Sequence, residues 1–202
     1  MNKPKNYENT RASGEFTPIE LGGHYLVIKQ VEERTSKTGK QMAVVSFDTT
    51  DRDKQPHYFA DQFRADIRPD KKWPANGVAY ITVEDDQGNC TGKFKGLCSS
   101  VENSNPGFVI PFDSTFATAL KNKLVGGVFR EEIGIYNGKE THQHKLLRFC
   151  SNDSVPDTKI PKAYETEEYK SWVASGGITT QPMDSNGFMN IPDDADDELP
   201  FA

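Results

Sequence analysis

The segment Ile-Gly-Ile-Tyr-Asn-Gly-Lys-Glu-Thr-His, residues 133–142, carries the strongest hairpin signal of the chain. Asn137-Gly138 favours a type I′ turn, because both central residues of that turn need positive φ. Apolar and β-branched residues on either side predict two strands, at residues 124–135 and 141–150. We therefore expect an antiparallel hairpin in this part of the chain.

A second hairpin pattern lies near the start of the chain. Residues 24–31 and 42–49 are rich in β-branched and aromatic side chains, which is typical of strands. Leu26 and Ile28 are expected on one face of the first strand, and the opposite face is expected to carry Tyr25, Val27, Lys29 and Val31. The polar segment between the two strands contains Gly39, which predicts a tight turn.

The segment from residue 57 to residue 83 combines two strand patterns with an irregular stretch. Residues 57–63 read as a third strand with Phe59 and Phe63 in phase, and residues 78–83 are a further short strand candidate. Residues 64–77 between them are basic and irregular, and two prolines there argue against a long helix.

The apolar period changes from two to about 3.6 after residue 90. In residues 91–103 the apolar side chains have the i, i+3, i+4, i+7 spacing of a helix stripe: Phe94, Leu97, Cys98 and Val101. Asp113 is predicted to cap a second short helix with Phe116 and Leu120 on one face. A third amphipathic helix is predicted at residues 163–173.

This order predicts a mainly β protein, specifically an OB-like five-stranded antiparallel barrel with a helical insert. A β-sandwich is the alternative, although seven clear strands are not visible. The predicted organisation is a flexible N-terminal arm at 1–14, the OB domain at 15–151, an extension with a short helix at 152–175, and a flexible linker with an acidic tip at 176–202.

The charge of the chain is unevenly spread. The net charge is −6 over 202 residues, but residues 174–202 contain six acids and no Lys or Arg. Residues 1–150 contain 21 bases and 19 acids, so the body is slightly basic. The overall acidity therefore does not argue against a nucleic-acid partner.

The cysteines and the N-terminus indicate a compartment. Three widely spaced cysteines, Cys90, Cys98 and Cys150, form no disulfide framework, which favours a reducing cytoplasm. The polar N-terminus does not resemble a signal peptide, and no apolar run has membrane-spanning length, so we expect no membrane association.

Aromatic and basic residues are interleaved in the body, as single-stranded nucleic acid requires. The nucleobases stack on aromatic rings while Lys and Arg neutralise phosphates. Trp73 is the leading candidate, since two lysines precede it in a loop where burial is hard to arrange. The competing interpretation is that each aromatic side chain belongs to the core and each Lys or Arg is an ordinary solvated surface residue. The candidate DNA-binding residues are Tyr25, Lys29, Lys37, Lys40, Tyr58, Arg64, Lys71, Lys72 and Trp73.

Two other clusters could suggest chemistry. His142 and His144 share one face of a predicted strand but have no further ligand at a supporting spacing, so we interpret them as ordinary exposed histidines. Four acids could form a nuclease cluster, but Asp-rich turns are common: Asp48, Asp51, Asp53 and Asp61. We expect no enzymatic activity, no metal and no cofactor.

The C-terminal ten residues, 193–202, combine five acids with a short apolar end. Such a segment buries too little apolar surface to order itself, so we expect a disordered tail. Its apolar end suggests a peptide that docks on partner proteins, with Phe201 as the anchor and the carboxylates steering. The predicted partner-binding residues are Asp193, Asp194, Asp196, Asp197, Glu198, Leu199, Pro200 and Phe201.

Four landmarks of the body, across residues 15–162, resemble a known family: Leu21-Gly22-Gly23-His24-Tyr25, the segment 101–107, the segment 120–126, and Ile160-Pro161. They look like those of phage-encoded single-stranded DNA-binding proteins of the OB type. The tail is similar to the acidic tip of bacterial single-stranded DNA-binding proteins, which recruits replication, recombination and repair proteins through a terminal Pro-Phe. Here Ala202 follows Phe201 and moves the terminal carboxylate by ~3.5 Å.

The resemblance implies sequence-tolerant binding of single-stranded DNA in phage replication or recombination, in the host cytoplasm. It also implies that the tip recruits replication or recombination proteins, and that a homo-oligomer is possible. The alternative is an OB-fold interaction adaptor, such as a recombination mediator, with little DNA binding of its own.

Overall fold

The computed structural model describes residues 3, 4, 7 and 17–177, so most of the predicted arm, nearly all of the predicted linker and the acidic tip at 193–202 lie outside the described residues. The described part is mainly β, as predicted. The strands are β1 Gly22–Thr35, β2 Gln41–Thr49, β3 Val78–Thr82, β4 Leu124–Tyr136, β5 Lys139–Cys150 and β6 Tyr164–Glu165. The α-helices are α1 Tyr58–Ala65, α2 Gly92–Ser104, α3 Phe116–Leu120 and α4 Glu167–Ala174, and 3₁₀ helices form at Ala75–Gly77 and Asn152–Ser154.

The six strands form one sheet with the order β3-β2-β1-β4-β5, and β6 joins β4. Every neighbouring pair on the main path is antiparallel, so β3 and β5 run in the same direction at its two ends. β6 lies parallel to β4 beside Glu132 and Ile133. Within residues 17–177 no hydrogen-bonded ladder joins β3 to β5, and closure of the expected barrel is therefore not shown.

Both predicted hairpins are present. Asn137 and Gly138 have φ of 51° and 73°, the positive values of the predicted type I′ turn. β4 and β5 pair from Tyr136 and Lys139 at the turn back to Gly126 and Cys150. The first hairpin pairs β1 with β2 as predicted, and its strands extend beyond the predicted ends.

One residue in β1 changes the predicted faces. Ile28 is paired with Phe47 and Gln30 with Ser46, which leaves Lys29 as an unpaired bulge. The extra residue reverses the alternation, so Val31 is buried together with Leu26 and Ile28. The prediction that Val31 lies on the opposite face is therefore wrong.

The predicted third strand at residues 57–63 is also wrong, since this segment forms α1. Two side chains at the end of β2 accept the free N–H groups of the first turn of the helix. Asp48 Oδ1 accepts from Phe59 N at 3.0 Å and Ala60 N at 3.2 Å, and Thr49 Oγ1 accepts from Tyr58 N at 2.8 Å. The candidate at residues 78–83 is the third strand instead, and it pairs with β2.

The predicted helices are confirmed with shifted ends. α2 begins after Thr91, whose side chain accepts from Phe94 N, and its predicted apolar stripe is buried. α3 buries Phe116 and Leu120 as predicted, but its N-cap residue is Thr115, whereas Asp113 was predicted. α4 begins at Glu167, later than predicted because β6 comes first, and it packs on β4.

The core lies between the inner face of the sheet and helices α1, α2 and α3. Its centre is a group of aromatic rings, in which Phe47 lies 5.4 Å from Phe59 and 6.2 Å from Phe129 between centroids. All three rings are fully buried. None of the helices in the described ranges is long and apolar enough to cross a membrane.

Candidate nucleic-acid interface

A groove separates the edge strands β3 and β5. It encloses about 480 Å³ and is lined by residues of both strands, by Lys93 at the start of α2, and by Ala75 and Asn76. Three of the lining residues are bases, namely Lys93, Lys145 and Arg148, and no Asp or Glu is found among the described residues that line it. We call this surface the basic groove.

Local patterns place the polar side chains of the basic groove on the surface. Tyr80 alternates with the buried Ile81 along β3 and is 63% exposed. Lys93 precedes the buried Phe94 on α2, and Arg148 precedes the buried Phe149 on β5. The groove therefore combines an exposed aromatic ring with cationic side chains.

The bases of the groove differ in their partners. Lys145 Nζ lies 2.5 Å from Glu132 Oε1 and is neutralised there. Lys93 and Arg148 are exposed and form no ion pair with any described residue. These two side chains can neutralise an anionic ligand without first breaking an existing pair.

A basic loop leads into the groove from α1. Residues 66–74 join α1 to the 3₁₀ helix Ala75–Gly77, whose first two residues line the groove. Lys71 Nζ lies 4.7 Å from the ring centroid of Phe63, and that ring lies 5.6 Å from the ring of Trp73. Five of the predicted residues lie on α1 or in this loop: Tyr58, Arg64, Lys71, Lys72 and Trp73.

Trp73 is half-buried, so the expectation that its burial is hard to arrange is wrong. Its Nε1–H donates to the carbonyl oxygens of Phe47 and Gly77, each at 3.2 Å. Gly77 is needed for this approach, because a Cβ there would lie 2.7 Å from Trp73 Nε1 and 2.9 Å from the ring of Phe59. The indole therefore anchors the loop to the core.

Several acids lie among these bases. Arg64 pairs with Asp61 at 2.7 Å. Hydrogen bonds from the Arg68 side chain and backbone lower the pKa of Asp66 from 3.8 to about 2. Lys71 and Lys72, in contrast, form no ion pair with a described residue. The positive charge of this loop therefore lies mainly at Lys71 and Lys72.

The two predicted tyrosines are partly buried. Tyr25 packs against Val128, Cys150 and Val155, and Arg52 lies over its ring at 5.4 Å. The hydroxyl of Tyr58 donates to the carbonyl oxygen of Thr17 at 3.1 Å. Neither ring is as exposed as that of Tyr80.

The remaining predicted lysines lie apart from the loop. Lys29 is exposed at the bulge of β1, and Lys37 is exposed in the first turn. Lys40 Nζ pairs with Asp86 Oδ1 at 2.7 Å. Gln41, at the β1–β2 turn, lies about 20 Å along β2 from Phe47, whose carbonyl oxygen accepts from the Trp73 indole. Lys37 and Lys40 are not among the described residues that line the basic groove.

Sequence reasoning missed Tyr80, Lys93, Lys145 and Arg148. The alternation of residues 79–81 contains a signal, because it places Tyr80 on the side opposite the buried Ile81. The proximity of β3 and β5 at the basic groove is a long-range feature of the fold, and no local pattern contains it.

The suspected chemical clusters are dispersed. Each of the four aspartates has its own partner: Asp48 at the start of α1, Asp51 with His57, Asp53 with the buried His24, and Asp61 with Arg64. His142 is held between Glu131 and Glu140, whereas His144 contacts the carbonyl oxygen of Ile19. In the part of the chain that the structure describes, no three His, Cys, Asp or Glu side chains are grouped to hold a metal.

No protein-family model matches the chain, and a search of curated proteins finds no match either.

Proposed function

We propose that this protein binds single-stranded DNA with little sequence preference, in the basic groove and along the adjoining Trp73 loop. The observation that carries the proposal is that one groove contains both an exposed aromatic ring, Tyr80, and two cations, Lys93 and Arg148, that form no ion pair with a described residue. Nucleobases of any sequence can stack on the aromatic ring, and the cations can neutralise the phosphates. The absence of acids among the described lining residues removes a source of repulsion.

The strand order supports an OB-like barrel as the finer description of the fold. The path β3-β2-β1-β4-β5 with α2 between β3 and β4 is the arrangement expected of five strands that curl to bring β3 beside β5. In this interpretation the basic groove is the seam of the barrel. The resemblance of residues 15–162 to phage single-stranded DNA-binding proteins supports the same function in phage replication or recombination.

The acidic tip completes the proposal. Residues 193–202 recruit replication or recombination proteins through Leu199, Pro200 and Phe201, as the resemblance of the tip implies. The tip lies outside the described residues, so deletion is the suitable test. Removing residues 193–202 is expected to leave or raise affinity for DNA, and abolition of DNA binding by this deletion would contradict the role given to the tip.

The main experiment is a titration of the full chain with labelled oligo-dT at several salt concentrations. The logarithm of the binding constant is expected to fall linearly with the logarithm of salt concentration, by about 0.7 per phosphate contact. A variant with Lys93→Gln and Arg148→Gln should reduce this slope by about 1.4. The matched control replaces two exposed lysines outside the groove, Lys121→Gln and Lys139→Gln.

Three results would contradict the proposal. The first is no binding of oligo-dT at low salt, and the second is equal affinity for duplex DNA. The third is an equal reduction of the slope in the control variant, which would place the DNA elsewhere. The first result would favour the alternative of an interaction adaptor.

A further inference from the structure

A second groove lies on the other side of α2. It is formed by α2, the residues after β3, the segment 112–116, and residues of β1 and β2 beside their turn, namely Glu33 and 41–43. Phe112 is 73% exposed there, although its ring lies 6.3 Å from that of Phe116 and 6.4 Å from that of Phe94. We call this surface the aromatic groove.

Two adjoining cavities make up the aromatic groove. Their volumes are about 490 and 390 Å³, and both are lined by Val83, Glu84, Phe94 and Phe112. Phe112 therefore contributes to both cavities. Its exposed ring gives the side chain of a partner an apolar surface to pack against.

The rim of the aromatic groove is acidic. Its described lining includes four carboxylates, from Glu33, Glu84, Glu102 and Asp113, and one base, Lys95. Glu102 accepts a hydrogen bond from Ile110 N, and Asp113 accepts from Thr115, whereas Glu33 and Glu84 form no ion pair with a described residue. The rim can therefore receive cationic side chains at Glu33 and Glu84.

We infer that the aromatic groove binds a short basic segment of a partner protein, in which lysine or arginine flanks a bulky apolar residue. Exposed aromatic anchors and complementary charge are the features that give such surfaces affinity and specificity. Four carboxylates against one base repel nucleic acid and also repel the acidic tip of the same chain. This inference goes beyond DNA binding and does not depend on it.

The probe is a fluorescein-labelled peptide, Lys-Leu-Lys-Phe-Lys-Leu-Lys, titrated with the full chain at 0.15 M salt and followed by anisotropy. Phe112→Ser is expected to weaken binding at least tenfold, since it removes the exposed anchor. The double variant Glu33→Gln and Glu84→Gln is expected to weaken it about fivefold. Replacing the lysines of the peptide by glutamate, or its Leu and Phe by serine, should abolish binding.

The chain offers matched controls. Ile67 is 97% exposed outside the groove, and Ile67→Ser should change peptide affinity less than twofold. The double variant Glu165→Gln and Glu168→Gln makes the same charge change on an exposed segment outside the groove and should also have little effect. Thermal unfolding of Phe112→Ser verifies that the variant is folded.

The inference is overturned if the peptide fails to bind at millimolar concentration, or if Phe112→Ser and Ile67→Ser bind it equally. It is also overturned if sedimentation shows self-association that only Phe112→Ser removes, because the groove is then a contact between copies of this chain. Oligo-dT affinity of Phe112→Ser is measured in parallel. Unchanged DNA binding with lost peptide binding separates this inference from the proposed function.

Discussion

The two grooves on either side of α2 have opposite charge but similar construction. The basic groove has three bases and, among its described lining, no acid, whereas the aromatic groove has four acids and one base. Each presents one strongly exposed aromatic ring, Tyr80 at 63% and Phe112 at 73%. Neighbouring residues of α2 contribute to different grooves, with Lys93 lining the first and Phe94 the second.

This difference shows why the total charge is a poor guide to the partners of the body. Residues 1–150 contain 21 bases and 19 acids, which suggests an almost featureless surface. The fold sorts these charges into separate regions, which gives the proposed DNA and peptide ligands surfaces of complementary charge. Substitutions in one groove are expected to leave the other unaffected, because no described residue lines both grooves.

The largest expected effect comes from reversing charge in the basic groove. Lys93→Glu with Arg148→Glu removes two cations and adds two carboxylates, so affinity for oligo-dT at 50 mM salt should fall on the order of 100-fold. Peptide binding in the aromatic groove should change less than twofold. The measurement is anisotropy with both probes, and Glu33→Lys with Glu84→Lys is the reciprocal variant. A parallel loss of both ligands would show that the grooves are not independent.

The next effect concerns stability beside each groove. Asp48 is 1% exposed, and its Oδ1 accepts from three backbone N–H groups, of Thr49, Phe59 and Ala60. Asp48→Ala should lower the free energy of unfolding by about 2 kcal/mol, because it leaves the start of α1 unsatisfied. The exposed Asp113, beside α3 and the aromatic groove, is the comparison, and Asp113→Ala should cost below about 1 kcal/mol. Urea unfolding measures both, and equal losses would contradict the role of Asp48.

The two exposed rings, Tyr80 and Phe112, allow the ligand of each groove to be tested separately. Tyr80→Ala should weaken oligo-dT binding about tenfold, near the lower end of the stacking contribution of a single aromatic. Phe112→Ala should leave DNA affinity unchanged within a factor of two but should weaken binding of the basic peptide. A DNA titration of both variants decides this, and a larger DNA defect in Phe112→Ala would reverse the assignment of the grooves.

Local patterns explain how much of this architecture follows from the sequence. The Asn137-Gly138 turn and the stripe of α2 depend on residues a few positions apart, so both were predicted. The start of α1 was missed because the groups that accept its hydrogen bonds belong to β2, about ten residues earlier in the chain. The bulge at Lys29 depends on the register with β2, which the sequence of one strand does not contain.

The candidate site was predicted only in part, for the same reason. The bases and aromatics of the Trp73 loop are consecutive in sequence and were found together, although the bonds from Trp73 to Phe47 and Gly77 were not foreseen. Tyr80, Lys93 and Arg148 belong to β3, α2 and β5, and only the folded chain places them in the lining of one groove. Their spacing in the sequence follows no helix or strand period, so no local pattern could have predicted that they meet.

The smallest expected effect lies outside both grooves, at the contact between the β4–β5 hairpin and α4. His142 Nδ1 lies 2.8 Å from Glu131 Oε1, its Nε2 lies 2.7 Å from Glu140 Oε1, and Tyr169 of α4 donates to Glu140 Oε2 at 3.2 Å. The hydrogen bond to Glu131, with a further one to Glu140, raises the pKa of His142 above its ordinary value of 6.5. The protonated imidazole of His142 therefore stabilises the folded chain fully below pH 6.5, and this contribution is lost as pH rises through the higher folded-state pKa.

Hydrogen exchange of α4, corrected for the intrinsic pH dependence, should show this loss as a modest decrease in protection above pH 6.5. The effect should stay below about threefold, because the His142 side chain is 46% exposed and solvent screens its ion pairs. His142→Gln keeps a polar side chain but cannot titrate, so its protection should not change over the same range. Since His142 lines neither groove, affinities for oligo-dT and for the basic peptide should show no difference in pH dependence between His142→Gln and the unmodified chain. If either affinity follows the titration of His142, the extension at residues 152–175 is coupled to that groove.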